Sequence, residues 1–148
     1  MKYSFEEIDH MEDLHVFYSV PARADNFERE EHITDFLKMI DQNKSRRWIW
    51  IIDFKELTYS KYMPLNYVSR LYTYLRMEHT TSLQQVWFLN LNAWVQMLMT
   101  FFVSAKVRVL TDEPLEILSL MQAAGIPFRH QNKLLAAISV HSKPVPVP

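Results

Sequence analysis

The stretch RRWIWIIDFKEL, residues 46–57, decides how this chain is organised. Two arginines lead into five consecutive apolar residues, Trp48 to Ile52, and the run stops at Asp53. Such a run is too short for a helix and is flanked by turn-forming residues. A strand with one wet face alternates apolar and polar residues, whereas a strand covered on both faces has no need to. Residues 48–53 are therefore expected to form a buried strand, and the question is whether Asp53 at its end is chemistry or architecture.

Working outward, LHVFYSV (14–20) is a second short strand, halted by Pro21. Asp25 stands where an N-cap would, with Glu28 at the reciprocal capping position. Phe27, Ile33, Phe36, Leu37 and Ile40 then recur at helical spacing, which predicts an amphipathic helix over 26–41. QNKS (42–45) makes the turn into the central strand. Beyond it, Pro64 suits the first turn of a helix, with Leu65, Val68, Leu71, Tyr72 and Leu75 as its stripe. QQVWFLNL (84–91) is another buried strand, and AKVRVL (105–110) a further one. Thr111 or Asp112 caps a helix over EPLEILSLMQAA, and Gly125 is placed to end it in the left-handed conformation. The order β, α, β, α, β, α, β, α predicts an α/β domain with a mainly parallel sheet and helices packed on it. The domain spans 14–140, between an N-terminal extension (1–13) and a proline-rich tail (141–148). In such sheets ligands meet the carboxyl ends of the strands, where Asp53 and Asn90 fall.

Composition narrows the function classes. The 148 residues suit one domain. A net charge of -1 gives no general attraction to nucleic acid, which is not expected as a partner. There is no cysteine, so no disulfide or thiolate chemistry. No apolar run approaches the roughly 20 residues that span a bilayer, and the acidic N-terminus lacks a signal-peptide core; a cytoplasmic protein is expected. The single glycine, Gly125, excludes glycine-loop nucleotide motifs and the nucleophile elbow. The six histidines include no i, i+4 pair and no HExxH; His10 and His15 lie five apart near the N-terminus. Neither a metal centre nor a cofactor is expected, and the chain is read as a non-enzyme. For Asp53 two readings stand: a general base or metal ligand at a strand end, or a residue that closes the following turn by accepting backbone N–H groups. Lys44, Arg46 and Arg47 form a small basic cluster with two readings: solvated surface, as is usual for clusters of this size, or a patch that steers the domain to anionic lipid at about 1 kcal/mol per residue.

Residues 94–102, WVQMLMTFF, are the strongest compositional signal. Trp94, Met97, Leu98, Phe101 and Phe102 share one helical face, and Val95, Met99 and Val103 are apolar off it. A helix apolar on two sides is buried on both or covers a cavity, and methionine adapts to a flexible apolar ligand.

Three stretches together resemble the CRAL-TRIO lipid-binding domain. WIWIIDFKEL is similar to that family's hydrophobic strand ending in Asp. VWFLNLNAW resembles its strand ending in an Ile-Asn-Ala-Pro pattern, with Asn90 at the Asn. FFVSAKVRVL resembles its Pro-Phe-Leu and Lys-Ile segment. AAGIPF loosely resembles its later Leu-Pro segment, so the likeness runs from the first strand to Pro127. The resemblance is to a reduced form, expected without the helical lobe usual before the lipid domain: Leu91-Asn92 replaces Ala-Pro, and a glutamate of the phosphatidylinositol binders falls at Thr81. The resemblance implies an apolar pocket for a lipid or similar small molecule, closed by a mobile helix, with no catalysis. It implies a headgroup contact at Lys106 and a conformational role for Asp53. Transient contact with a membrane surface goes with that reading. The alternative is an interaction module, a CRAL-TRIO or STAS-like domain that lost its pocket and meets a protein partner or a second copy of itself through an apolar surface.

Overall fold

The computed structural model describes residues 4–23, 30–56, 65–91, 107–109 and 114–142. Five strands form one sheet: β1 (Glu6–Met11), β2 (Leu14–Ser19), β3 (Arg47–Asp53), β4 (Leu83–Leu89) and β5 (Val107–Val109). They lie side by side in chain order. The helices are α1 (Glu30–Asp41), α2 (Leu65–Glu78), α3 (Pro114–Ala123) and α4 (Phe128–Ser142), with one turn of 3-10 helix at Pro21–Arg23.

The α/β class is as expected, but the sheet is mixed. β2, β3, β4 and β5 pair in parallel, whereas β1 runs antiparallel to β2. Residues 6–11, assigned by the sequence to an N-terminal extension, are thus an edge strand of the sheet. α4 is the other element the sequence reading did not contain. The expected caps at Asp25, Thr111 and Asp112, the first-turn proline Pro64 and the apolar segment 94–103 lie outside the described residues.

β3 shows why its sequence does not alternate. Trp48 and Trp50 point to one face, joining Phe17, Leu83 and Val86 against Ile33, Phe36 and Ile40 of α1, with Leu71 and Leu75 of α2 at the margin. Ile49 and Ile51 point to the other, joining Val16, Tyr18, Trp87 and Leu89 against Ile117 and Met121 of α3 and Leu134 and Ile138 of α4. Both faces are covered, so both sets of side chains are apolar. Trp48, Trp50 and Trp87 are essentially inaccessible, yet each indole N–H has an acceptor: Ser82 Oγ at 3.4 Å, Ser19 Oγ at 2.8 Å and Gln85 Oε1 at 2.7 Å. A buried indole without a partner would lose about 1–3 kcal/mol.

Two local devices fix the geometry. In β4 the register slips between Trp48/Leu83 and Ile49/Gln85. Gln84 is the extra residue, and the bulge lets Leu83 and Val86, three apart, face the same side. After α3, Gly125 sits at φ +78. Its N–H reaches the Gln122 carbonyl at 3.1 Å, and the Ile126 N–H reaches that of Met121 at 3.0 Å. This is the paired C-terminal bonding of a Schellman motif, with Ile126 and Met121 in the same core cluster. Gly125 is the stop that the sequence predicted. α4 then lies against the β1–β2 hairpin, where Lys133 Nζ reaches Asp9 Oδ1 at 3.2 Å and Arg129 Nη2 reaches Glu12 Oε1 at 2.8 Å.

Candidate functional site

The carboxyl ends of β2, β3 and β4 converge on Asp53. The continuing pleat of β3 turns this residue toward the α3–α4 side, where it is fully buried. Its Oδ2 accepts the Tyr18 hydroxyl at 2.5 Å. Its Oδ1 accepts the Lys55 backbone N–H at 3.0 Å and the Asn90 side-chain amide at 2.9 Å. The first of these Oδ1 bonds closes the turn after the strand, as an Asx turn does; the second ties the end of β4 to the end of β3. Asp53 and Asn90, named separately in the sequence, are therefore bonded to each other. With three donors on it, the carboxylate has little acceptor capacity left for a substrate or a metal ion.

Around this knot the chain is charged and strained. Lys55 is buried, with Nζ 3.8 Å from Asp53 Oδ2. Burial lowers its pKa, and the Asp53 charge opposes that shift without cancelling it. Burial also pushes the Tyr18 phenol far above its ordinary value, reinforced by its hydrogen bond to Asp53. Glu56 and Asn90 both adopt positive φ, 65° and 54°. That conformation costs a bulky side chain such as Glu about 1 kcal/mol or more and asparagine less. Glu56 Oε1 meets Arg23 Nη2 at 3.5 Å. On the opposite side of the same edge, Ala22 and Phe54 form a small apolar corner with Ile52, Phe88 and Leu91. The Phe54 and Phe88 rings meet edge to face, with centroids 5.3 Å apart. The carboxyl edge is thus apolar toward the α1–α2 side and polar toward the α3–α4 side. Trp94, Met97, Leu98, Phe101, Phe102 and Lys106 lie outside the described residues.

The amino ends of β3 and β4 hold a constellation that no sequence motif announced. Ser82 Oγ lies 3.0 Å from His79 Nδ1, and His79 Nε2 lies 3.1 Å from Asp41 Oδ1. The Tyr74 hydroxyl donates to the same carboxylate. A carboxylate only accepts, so Nε2 carries a proton; in the neutral ring Nδ1 then accepts from Ser82, whose oxygen accepts the Trp48 indole. By connectivity this is a Ser-His-Asp line. It differs from a nucleophilic triad in two ways. The ring is reversed, since catalytic triads point Nε2 at the serine. Ser82 and His79 are also buried, and the serine hydroxyl is occupied on both sides. Burial works to raise the Asp41 pKa, but the hydrogen bonds from Tyr74 and His79 outweigh it and hold the carboxyl below its ordinary value. Sequence spacing offers no signal for this line, because Asp41 comes from the end of α1 and the other members from α2 and the turn after it.

Of the basic cluster near β3, Lys44 pairs with Glu78 at 2.7 Å and Arg47 with Asp13 at 3.1 Å. Among the described residues no helix is long and apolar enough to cross a membrane. No protein-family model and no curated protein matches the chain.

Proposed function

We propose that the protein is a non-catalytic binding module that holds a lipid or another small apolar ligand at the carboxyl edge of its sheet. The observation that carries this reading is the two-sided character of that edge. The partly buried Ile52, Phe88 and Leu91, packed on Ala22 and Phe54, offer an apolar wall, and the exposed Arg23, Glu56 and Asn90, held in place by the buried Tyr18–Asp53–Lys55 knot, offer a polar one. An amphipathic molecule needs both. Two further points support the reading: the resemblance of three stretches to a reduced CRAL-TRIO domain, and the apolar composition of 94–103, which follows the Phe88–Leu91 end of this corner in the chain. The non-catalytic part rests on the saturation of Asp53 by internal donors and on the enclosure of Ser82. The module acts in the cytoplasm and touches membranes transiently, in lipid transfer or membrane-linked signalling.

The test is to incubate the purified chain with mixed liposomes, re-isolate it, and identify what an organic extract contains. One lipid per protein is expected, and Phe54→Ala should lower the yield severalfold while the fold is retained. An extract without lipid, from protein shown to be folded, overturns the reading. A second reading is favoured by the exposure of Leu115, Phe128 and Val140 on α3 and α4: an interaction module that meets a partner or a second copy through that side. Light scattering distinguishes it. A dimer that Phe128→Glu dissociates supports self-association, and a monomer at all concentrations removes it.

A further inference from the structure

The β1–β2 hairpin gathers a different set of side chains. In a regular strand, residues three apart face opposite ways, so Glu7 and His10 should diverge. They do not, because β1 is bulged. Glu7 pairs with Phe17 and Asp9 with Val16, leaving Ile8 as the extra residue. The bulge returns His10 to the face of Glu7, and His10 stands directly across from His15 in the register. The two imidazoles stack with centroids 4.0 Å apart and planes at 15°. His15 Nδ1 lies 2.7 Å from Glu7 Oε1. One ligand-type atom from each of the three residues lies within 4.8 Å of the others.

We propose that Glu7, His10 and His15 form a binding site for a divalent transition-metal ion of zinc type, its remaining positions filled by water. Two imidazoles and one carboxylate suit zinc, cobalt, nickel or copper, and disfavour magnesium and calcium, which prefer all-oxygen shells. The hydrogen bonding already prepares His10. His10 Nε2 lies 2.9 Å from the Glu12 carbonyl oxygen. A carbonyl accepts, so the neutral ring holds its proton on Nε2 and leaves the Nδ1 lone pair for the ion, the usual supporting arrangement for a metal-bound histidine. The ion takes the place of the proton between His15 Nδ1 and Glu7, and that proton moves through water to His15 Nε2, so the ring stays neutral. The ion draws the three ligand atoms to the roughly 3.3 Å separation of a tetrahedral zinc shell, tilting the stacked rings apart. Glu7 and His10 are exposed, so ions reach the site from solution. Two ligands lie on the edge strand and one on its neighbour, so occupancy clamps β1 to β2. The sequence, with its histidines five apart and no motif, gave no expectation of a metal here; hairpin pairing and a bulge bring the ligands together.

The test is calorimetric titration of the untagged full chain with zinc chloride, with magnesium chloride alongside. One equivalent of zinc is expected, with no binding of magnesium. His10→Gln and His15→Gln should each weaken zinc at least about tenfold, as loss of even a supporting partner does, while His130→Gln leaves the affinity unchanged. A thermal scan guards against misfolding: zinc should raise the melting midpoint of the parent and of His130→Gln but not of His10→Gln. Absence of one-equivalent binding, equal binding of magnesium, or a His10→Gln chain that binds zinc like the parent overturns the site.

Discussion

The two ends of the central sheet are built on the same pair of residues and differ in burial. At the carboxyl edge Tyr18 donates to Asp53; at the amino edge Tyr74 donates to Asp41. Asp53 is completely buried beside a buried lysine, whereas the Asp41 side chain keeps 35% of its surface in water. A charge pair inside the protein gains from geometry and loses heavily when one member is removed; a half-wet carboxylate can fall back on water. The amino edge is therefore a clamp joining α1, α2 and β4. The carboxyl edge instead rests on a dry Asp53–Lys55 pair beneath exposed Arg23, Glu56 and Asn90, next to an apolar corner.

The contrast is open to direct attack. Asp53→Ala removes the acceptor shared by Tyr18, Asn90 and the Lys55 N–H, and the carboxylate 3.8 Å from Lys55 Nζ. It should cost about 3–5 kcal/mol in urea unfolding, against about 1–2 kcal/mol for Asp41→Ala. Equal losses at the two ends would break the comparison. Ser82→Ala strips an acceptor from Trp48 and a partner from buried His79, and should cost about 1–3 kcal/mol. Esterase activity in the parent chain that Ser82→Ala abolishes, with the fold intact, would make the line catalytic instead.

The pH dependence sharpens the same contrast. Tyr18 and Tyr74 both have folded pKa values raised above the ordinary value of about 10. Their contribution is complete below about pH 10. Above it the unfolded chain releases protons that the folded chain keeps, so stability falls. Lys55, with its lowered folded pKa, acts the other way as pH rises toward about 10.4. Tyr18→Phe should flatten the alkaline fall, and Lys55→Met should steepen it, in denaturation midpoints measured against pH. At the acid end the lowered Asp41 pKa gives stability that is present above about pH 3.9 and lost as pH drops through the folded value. Tyr74→Phe should shrink that loss. The smallest expected effect is Glu56→Gly. Relief of the positive φ should stabilise by about 0.5–1 kcal/mol. If that variant also binds less ligand, the strained turn serves the site.

Much of the fold was legible because its strongest signal, the unbroken apolar run at 48–52, has one physical meaning: a strand sandwiched between helices. The α1 stripe at Ile33, Phe36 and Ile40 and the Gly125 stop follow from spacing and φ alone. β1 was not legible. Its bulge at Ile8 breaks the alternation that identifies a strand, and it reads as EEIDHM. α4 escaped because its inward stripe starts with polar Gln131 before Leu134 and Ile138, while its first residue, Phe128, is exposed. The loss of β1 hid the antiparallel edge, so the sheet read as mainly parallel where it is mixed. At the site, Asp53 and Asn90 could be named as strand ends, and the turn-closing role of Asp53 was one of its two readings. Their mutual bond, and Tyr18 beneath them, depend on register between strands more than thirty residues apart, which local pattern does not encode.

As proposed, the carboxyl edge binds ligand at its surface, while its carboxylate, Asp53, only shapes the turn and ties β3 to β4. Native mass spectrometry of the freshly purified full chain, before and after exposure to mixed liposomes, tests this proposal most directly. A single stoichiometric adduct of lipid mass is expected, and it should survive Asp53→Asn in the folded fraction. Bare protein under both conditions would contradict it and turn attention to the exposed side of α3 and α4.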